Sequence, residues 1–246
     1  MYIYHPQLSA DGTRNTATTP SRQRYAPLYR HTMITSADFK KQIAKPFGQE
    51  MRQYGFKGTG FEYHQETDDY LIAVYIDPSR WGGSCSAGFA IHPKQVDKNS
   101  MGKLDVKKIK SYQYEFKMGL TKYARGEKWE YANDEATNLM TLTKILKSIK
   151  SKAFPVIDKF KETPNILELF EITELTNFHN NWTKKTGVFI STTEVRFAWA
   201  MTLIFEDKKP HKAKQFAKWG VENLGDTDND WFGKADFDRV LKNNGA

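Results

Sequence analysis

The sequence predicts an α+β fold, an antiparallel sheet of about four strands packed by helices with a helical C-terminal portion. Three observations carry this reading. Apolar residues recur at helical spacing from about residue 36 to 54, alternate with period two between 56 and 122, and return to helical spacing after 133. Strands gathered in one stretch and helices in another favour an antiparallel sheet covered by helices over a βαβ alternation.

The elements follow in order. The first 32 residues have no apolar periodicity and are rich in Thr, Pro and Arg, which reads as a disordered basic arm. Ser36 stands as an N-cap before Phe39, Ile43, Phe47, Met51 and Tyr54, with Gly55 as the stop and Pro46 predicting a kink or short break. "GFEYHQETDDYLIAVYIDPS" reads as a hairpin: Phe61 and Tyr63 alternate on one strand, Thr67 to Asp69 turn, and Leu71 to Ile76 form the buried return. In "SRWGGSCSAGFAIH" a third strand places Cys85, Ala87, Phe89 and Ile91 on one face, and Ser84, Ser86, Gly88, Ala90 and His92 on the other. "YQYEFKMGL" is the fourth, with Tyr112, Tyr114, Phe116 and Met118 on one side, and residues 93 to 111 form a loop with a short element.

Asn133 or Asp134 then starts a helix with Leu139, Leu142, Leu146 and Ile149 as its stripe, and Pro155 begins a further turn or two. Thr163-Pro164 is expected to cap a helix over "NILELFEITEL", and Ser191 with Glu194 to form a capping box for "TEVRFAWAMTLIFED". Two last helices are expected at about 211–224 and 234–242, with Ala213 and Ala217 permitting close pairing. The domain reading is a basic arm over 1–32, an α+β domain over 33–162, and a helical portion over 163–246 packed on the same domain.

Composition bounds the function classes. A 39% hydrophobic content fills a core, and no run reaches the roughly 18 to 20 apolar residues that cross a bilayer. The expectation is therefore a cytoplasmic protein without a membrane partner. One cysteine makes no internal disulfide and no Cys/His cluster builds a structural zinc site. The net charge of +8 is mild once distributed, because the arm supplies +3 and the other 214 residues +5, without a run of five basic residues.

Several chemistries can be weighed against plainer readings. Cys85 shares a strand face with Phe89 and Ile91 while His92 points the other way, so no base reaches it and a buried small hydrophobe is the reading. His64, Glu66, Asp68 and Asp69 imitate a metal cluster but fit the polar outer face of a hairpin turn. Asp226, Asp228 and Asp230 occupy positions 1, 3 and 5 of an EF-hand-like loop. The match then fails at Trp231, Lys234 and Phe237, leaving an inter-helix loop. No phosphate-binding, dinucleotide-binding, nucleophile-elbow or zinc-helix motif is present, so no cofactor and no catalytic residue is assigned. Arg80 and Trp81, at a Gly-rich loop, read either as an exposed anchor of the kind that dominates protein-binding surfaces or as a buried plug. Arg80, Trp81, His64 and His92 are the candidate interaction residues.

From Met33 to about Glu162 the order of these signals resembles a bacterial family, the domain of unknown function 4304. The residues that carry the resemblance are "YGFKGTGFEY", "YLIAVYIDPSRWGGS", "SAGFAIHP", "FKMGL" and "KWEYAND" leading to a Leu-rich helix that ends near "FPVID". The resemblance implies the α+β architecture and transfers no catalytic or binding residue. Three function classes stay open: a non-enzymatic protein-binding module, such as one that neutralises a toxin; a nucleic-acid-binding protein using its basic surface; and an enzyme whose site is assembled from scattered residues. The sequence leaves the oligomeric state undetermined.

Overall fold

The computed structural model of the chain describes residues 34–99, 102–105, 108–120, 128–225 and 231–243. The arm expected over 1–32 lies outside these residues, as do Asp226, Asp228 and Asp230 of the EF-hand-like loop. Helix α1 (Ser36–Gln53) is capped by Thr35, whose hydroxyl oxygen accepts the Asp38 N–H at 3.1 Å. The cap is thus one residue earlier than expected, and Ser36 is the first helical residue. Phe39, Ile43, Phe47 and Met51 form the buried stripe. The helix continues on both sides of Pro46, a correction to the expected break, since proline removes a single backbone donor. Gly55 ends it at φ +79, where the Gly55 N–H bonds Arg52 O and the Phe56 N–H bonds Met51 O. This is a Schellman closure, with Phe56 and Met51 both buried.

Strands β1 (Lys57–Thr59), β2 (Glu62–Glu66), β3 (Tyr70–Pro78) and β4 (Ser84–Pro93) form an antiparallel meander, followed by a small ribbon, β5 (Lys98–Asn99) with β6 (Gly102–Lys103). A 3₁₀ turn at Ser111–Gln113 leads to β7 (Phe116–Gly119), and β8 (Trp129–Glu130) pairs with the start of β4. The fold class is α+β as expected. β2, β3, β4 and β7 are the four anticipated strands, while β1, β8 and, much later, β9 (Phe189–Ile190) extend the sheet to seven, in the order β1-β2-β3-β4-β7-β9 with β8 off this path beside β4.

The fourth strand begins later than the sequence suggested. Tyr112 sits in the 3₁₀ turn and is 68% exposed, and Tyr114 packs on the face opposite Phe116 and Met118, against Leu71, Ala73 and Ala90. Alternation across "YQYEFKM" is produced here by a turn followed by a strand.

After β8, Asp134 caps α2 (Glu135–Ser148) by accepting the Thr137 N–H. The helix passes through a π turn at Ile149–Ala153 into α3 (Phe154–Lys161). Its buried stripe is Asn138, Thr141, Leu142 and Ile145 rather than one containing Leu139, which is exposed. Asn138 takes the inward position because its amide bonds both the N–H and the carbonyl of Ala132 and reaches Gln42 on α1. The helix expected over "NILELFEITEL" is replaced by irregular turns and a 3₁₀ segment at Ile172–Asn177.

The remainder comprises α4 (Phe178–Thr186), β9, α5 (Glu194–Phe205), α6 (Pro210–Asn223) and α7 (Lys234–Lys242). The last two stand where the sequence placed them. Thr193, not Ser191, is the N-cap residue of α5, since the Ser191 hydroxyl donates to Lys117 O across the β7–β9 pair. Tyr70, Ile72, Val74, Ile76, Cys85, Phe89, Phe116 and Met118 point into one continuous core beneath the helices. Its densest part joins Phe160, Phe170, Phe178, Trp182 and Phe197, with ring centroids 4.6 to 6.3 Å apart. A buried carboxylate, Asp236, accepts from Trp199 Nε1 at 2.8 Å and Lys98 Nζ at 2.7 Å, tying the β5–β6 ribbon to α5 and α7.

Candidate functional site

Two regions carry the candidate residues. The first is the turn between β3 and β4. The Ser79 hydroxyl accepts the Trp81 N–H at 3.2 Å, the Ser79 carbonyl accepts the Gly82 N–H at 3.0 Å, and Ser79 N–H bonds Ser84 O at 2.8 Å. Gly82 and Gly83 have φ of +80 and +71, the left-handed region that glycine enters without strain. The "SRWGG" stretch is therefore a turn built to reverse the chain, and it holds Trp81 outward at 75% exposure, so the buried-plug reading does not apply. The Arg80 guanidinium lies 4.6 Å from the Trp81 ring centroid, a cation–π contact that stiffens the pair.

The second region is the sheet face turned away from the core. Cross-strand register places Lys57, His64, Ala73, Ala90 and Lys117 in one row across five strands. The two alanines form a shallow floor, and the Tyr114 ring from the segment before β7 packs on it. His64 Nδ1 lies 3.2 Å from Tyr114 Oη and its Nε2 3.2 Å from Glu62 Oε1. An Nε2–H donating to the carboxylate leaves Nδ1 to accept the phenol proton, so the three side chains satisfy one another. Burial pushes the Tyr114 hydroxyl up to about 12, which keeps it a donor.

His92 lies on the same face, as strand alternation predicted, but it is fully buried and so is no surface contact. The Tyr114 ring lies beside it, tilted, with centroids 5.7 Å apart; His92 Nε2 donates to Val96 O at 2.8 Å while its Nδ1 has no partner among the described residues. Burial, with Arg196 nearby, lowers its pKa from 6.5 to about 4, so the ring stays neutral. Glu115, the residue before β7, is buried and held by Arg196 in a two-point ion pair, Nε–Oε1 2.6 Å and Nη2–Oε2 2.9 Å, which fastens α5 to the start of β7.

These two regions do not merge. Trp81 and His92 stand at opposite ends of the β3–β4 hairpin, about 25 Å apart at some 3.3 Å per residue. Sequence reading names Arg80, Trp81 and His64, which the fold places on the surface or partly exposed, and does not single out Glu62, Tyr114 or the Glu115–Arg196 pair. The spacing of Glu62 and His64 carries a signal, since i and i+2 on a strand share a face. Tyr114 carried none once the strand had been drawn through it.

Cys85 is a core residue at 1% exposure, and burial pushes its thiol up to about 12. That state is unreactive. Among the described residues no group of three His, Cys, Asp or Glu side chains is placed to hold a metal ion, and no helix is long and apolar enough to cross a membrane.

The stretch from the second half of α1 to α3 also has a counterpart among known families. Residues 47–159 match a domain of unknown function, DUF4304. The resemblance read from the order of motifs therefore holds over this range, slightly inside the 33–162 first drawn. The DUF4304 segment contains the β3–β4 turn, the Glu62–His64–Tyr114 group, His92 and Glu115, whereas Arg196, the partner of Glu115, lies outside it. No curated protein and no solved structure matches the chain.

Proposed function

We propose that the protein is a non-enzymatic, cytoplasmic protein-binding module of bacterial origin, of the kind that neutralises a toxin, and that Arg80 and Trp81 anchor its partner. The observation that carries the reading is the exposed Trp81, held outward by a turn whose glycines and serine bonds fix its direction. A large apolar side chain kept in water by local design is best explained by a surface that receives it. Arg and Trp are enriched among residues whose truncation costs about 2 kcal/mol or more of binding. The Arg80 contact limits the freedom lost when the indole docks.

Nucleic-acid binding is the weaker alternative. Many basic side chains are already engaged locally, among them Lys94 with Glu66, Lys150 with Glu50 and Lys209 with Glu168. Among the described residues, lysines paired in this way have less charge to offer a phosphate backbone. An enzyme is weaker still, because the Glu62–His64–Tyr114 group spends its hydrogen bonds internally.

A pull-down from bacterial lysate with the full chain, washed at low and high salt and read by mass spectrometry and nucleic-acid staining, tests the proposal beside Trp81→Ala. The expected result is one protein retained at high salt by the wild type and lost in the variant. Trp81→Ala should change folding stability by less than about 0.5 kcal/mol, as for exposed sites generally. Equal retention by both chains, or nucleic acid alone that leaves with salt, overturns it.

A further inference from the structure

The outer sheet face holds a groove of about 570 Å³ that plays no part in the anchor just described. One wall is the β1–β2 pair, where Lys57 sits directly across from His64 in register. The other is the segment carrying Lys108, Ile109 and Lys110, which continues into the 3₁₀ turn and Tyr114. Three lysines thus line one concavity.

The carboxylates on this side are occupied. Glu66 pairs with Lys94 at 2.7 Å, and Glu62 Oε1 faces His64 and accepts the Ser111 N–H at 3.3 Å. Lys108 pairs with Asp105 at 3.2 Å, whereas Lys57 and Lys110 have no ion-pair partner among the described residues. Between the lysines the lining mixes Ile109, Tyr114 and Leu71 with the polar His64, Gln65 and Glu66. Basic side chains beside an aromatic ring, with polar groups between them, suit a ligand with an anionic end and a flat body that carries its own hydrogen-bonding atoms. The volume falls within the range of about 300 to 1,000 Å³ common to small-molecule sites.

We infer that this groove binds a phosphorylated small molecule of mononucleotide size, its phosphate between Lys57 and Lys110 and its body against Ile109, Tyr114 and Leu71. The inference is independent of the Trp81 anchor. The test is titration of the full chain with adenosine 5′-monophosphate and separately with inorganic phosphate, followed by amide NMR and calorimetry, in the wild type, Lys57→Ala/Lys110→Ala and Trp81→Ala. Both probes should move resonances of the groove, the nucleotide more tightly. Removing two charge-assisted contacts should weaken nucleotide binding by about tenfold or more. Both lysines are exposed, so the double variant should unfold at the wild-type midpoint, and Trp81→Ala should bind the nucleotide unchanged. No shift at the groove with either probe, nucleotide binding no tighter than that of phosphate, or binding that survives the double variant would each overturn it.

Discussion

His92 shows how a single position can be read correctly for direction and wrongly for role. Alternation along β4 settles that its side chain leaves the core face, but whether that second face is wet depends on what crosses it. Here the Tyr114 ring, contributed from another part of the chain, packs tilted against the imidazole. The consequence is measurable. The unfolded chain protonates this histidine near 6.5 while the folded protein resists until about 4. Falling pH therefore favours the unfolded state first: the stability tied to the neutral ring is complete above 6.5 and is lost progressively towards 4. The shift corresponds to about 3 kcal/mol. Urea unfolding across that window should show His92→Gln losing less stability than the wild type as pH falls, and parallel losses would mean that the ring is already hydrated. Trp81 is the converse case. Its neighbours "S-R-W-G-G" held part of the information, because serine and two glycines specify a tight reversal, and the indole stands outside it in solvent.

Among the elements, the β3–β4 turn and the stretch before β7 mark what local sequence can and cannot specify. The turn was legible because its residues impose their own backbone angles. Gly82→Ala places a Cβ at φ +80 and should cost about 1 kcal/mol, the ordinary penalty for a left-handed L-residue. Urea unfolding would read this against the near-neutral Trp81→Ala, and a neutral Gly82→Ala would show that the turn relaxes elsewhere. The stretch "YQYEFKM" was misread because a 3₁₀ turn entering a strand can imitate alternation, and only the partner strand decides where pairing starts. Similarly, α2 buries Asn138 in preference to Leu139 for the sake of hydrogen bonds to Ala132, a choice invisible to a count of apolar spacings.

For the molecule as a whole, composition and periodicity were enough for the α+β class, for four strands and for the two terminal helices. They were not enough for β9, whose two residues pair with β7 from some seventy positions away. That pairing bears on how much of the chain is needed to fold. A fragment of residues 33–162 would retain Phe160 and Phe116 but lose Phe170, Trp182 and Phe197 from the aromatic cluster, and would leave Glu115 buried without Arg196. Breaking a buried ion pair alone costs about 3 to 5 kcal/mol. The fragment should therefore lack a sharp thermal transition and near-ultraviolet circular dichroism. A wild-type-like spectrum with cooperative melting would show that the segment stands alone.

The sheet's outermost strands have an implication of a different kind. β1 offers three residues at one margin and β9 two at the other. Stubs of that length give an incoming strand almost no ladder of main-chain donors and acceptors to continue, which is how natural sheets avoid zipping together edge to edge. At these two margins of the main sheet, edge-to-edge self-association finds little to extend, and a partner meeting them does so chiefly through side chains.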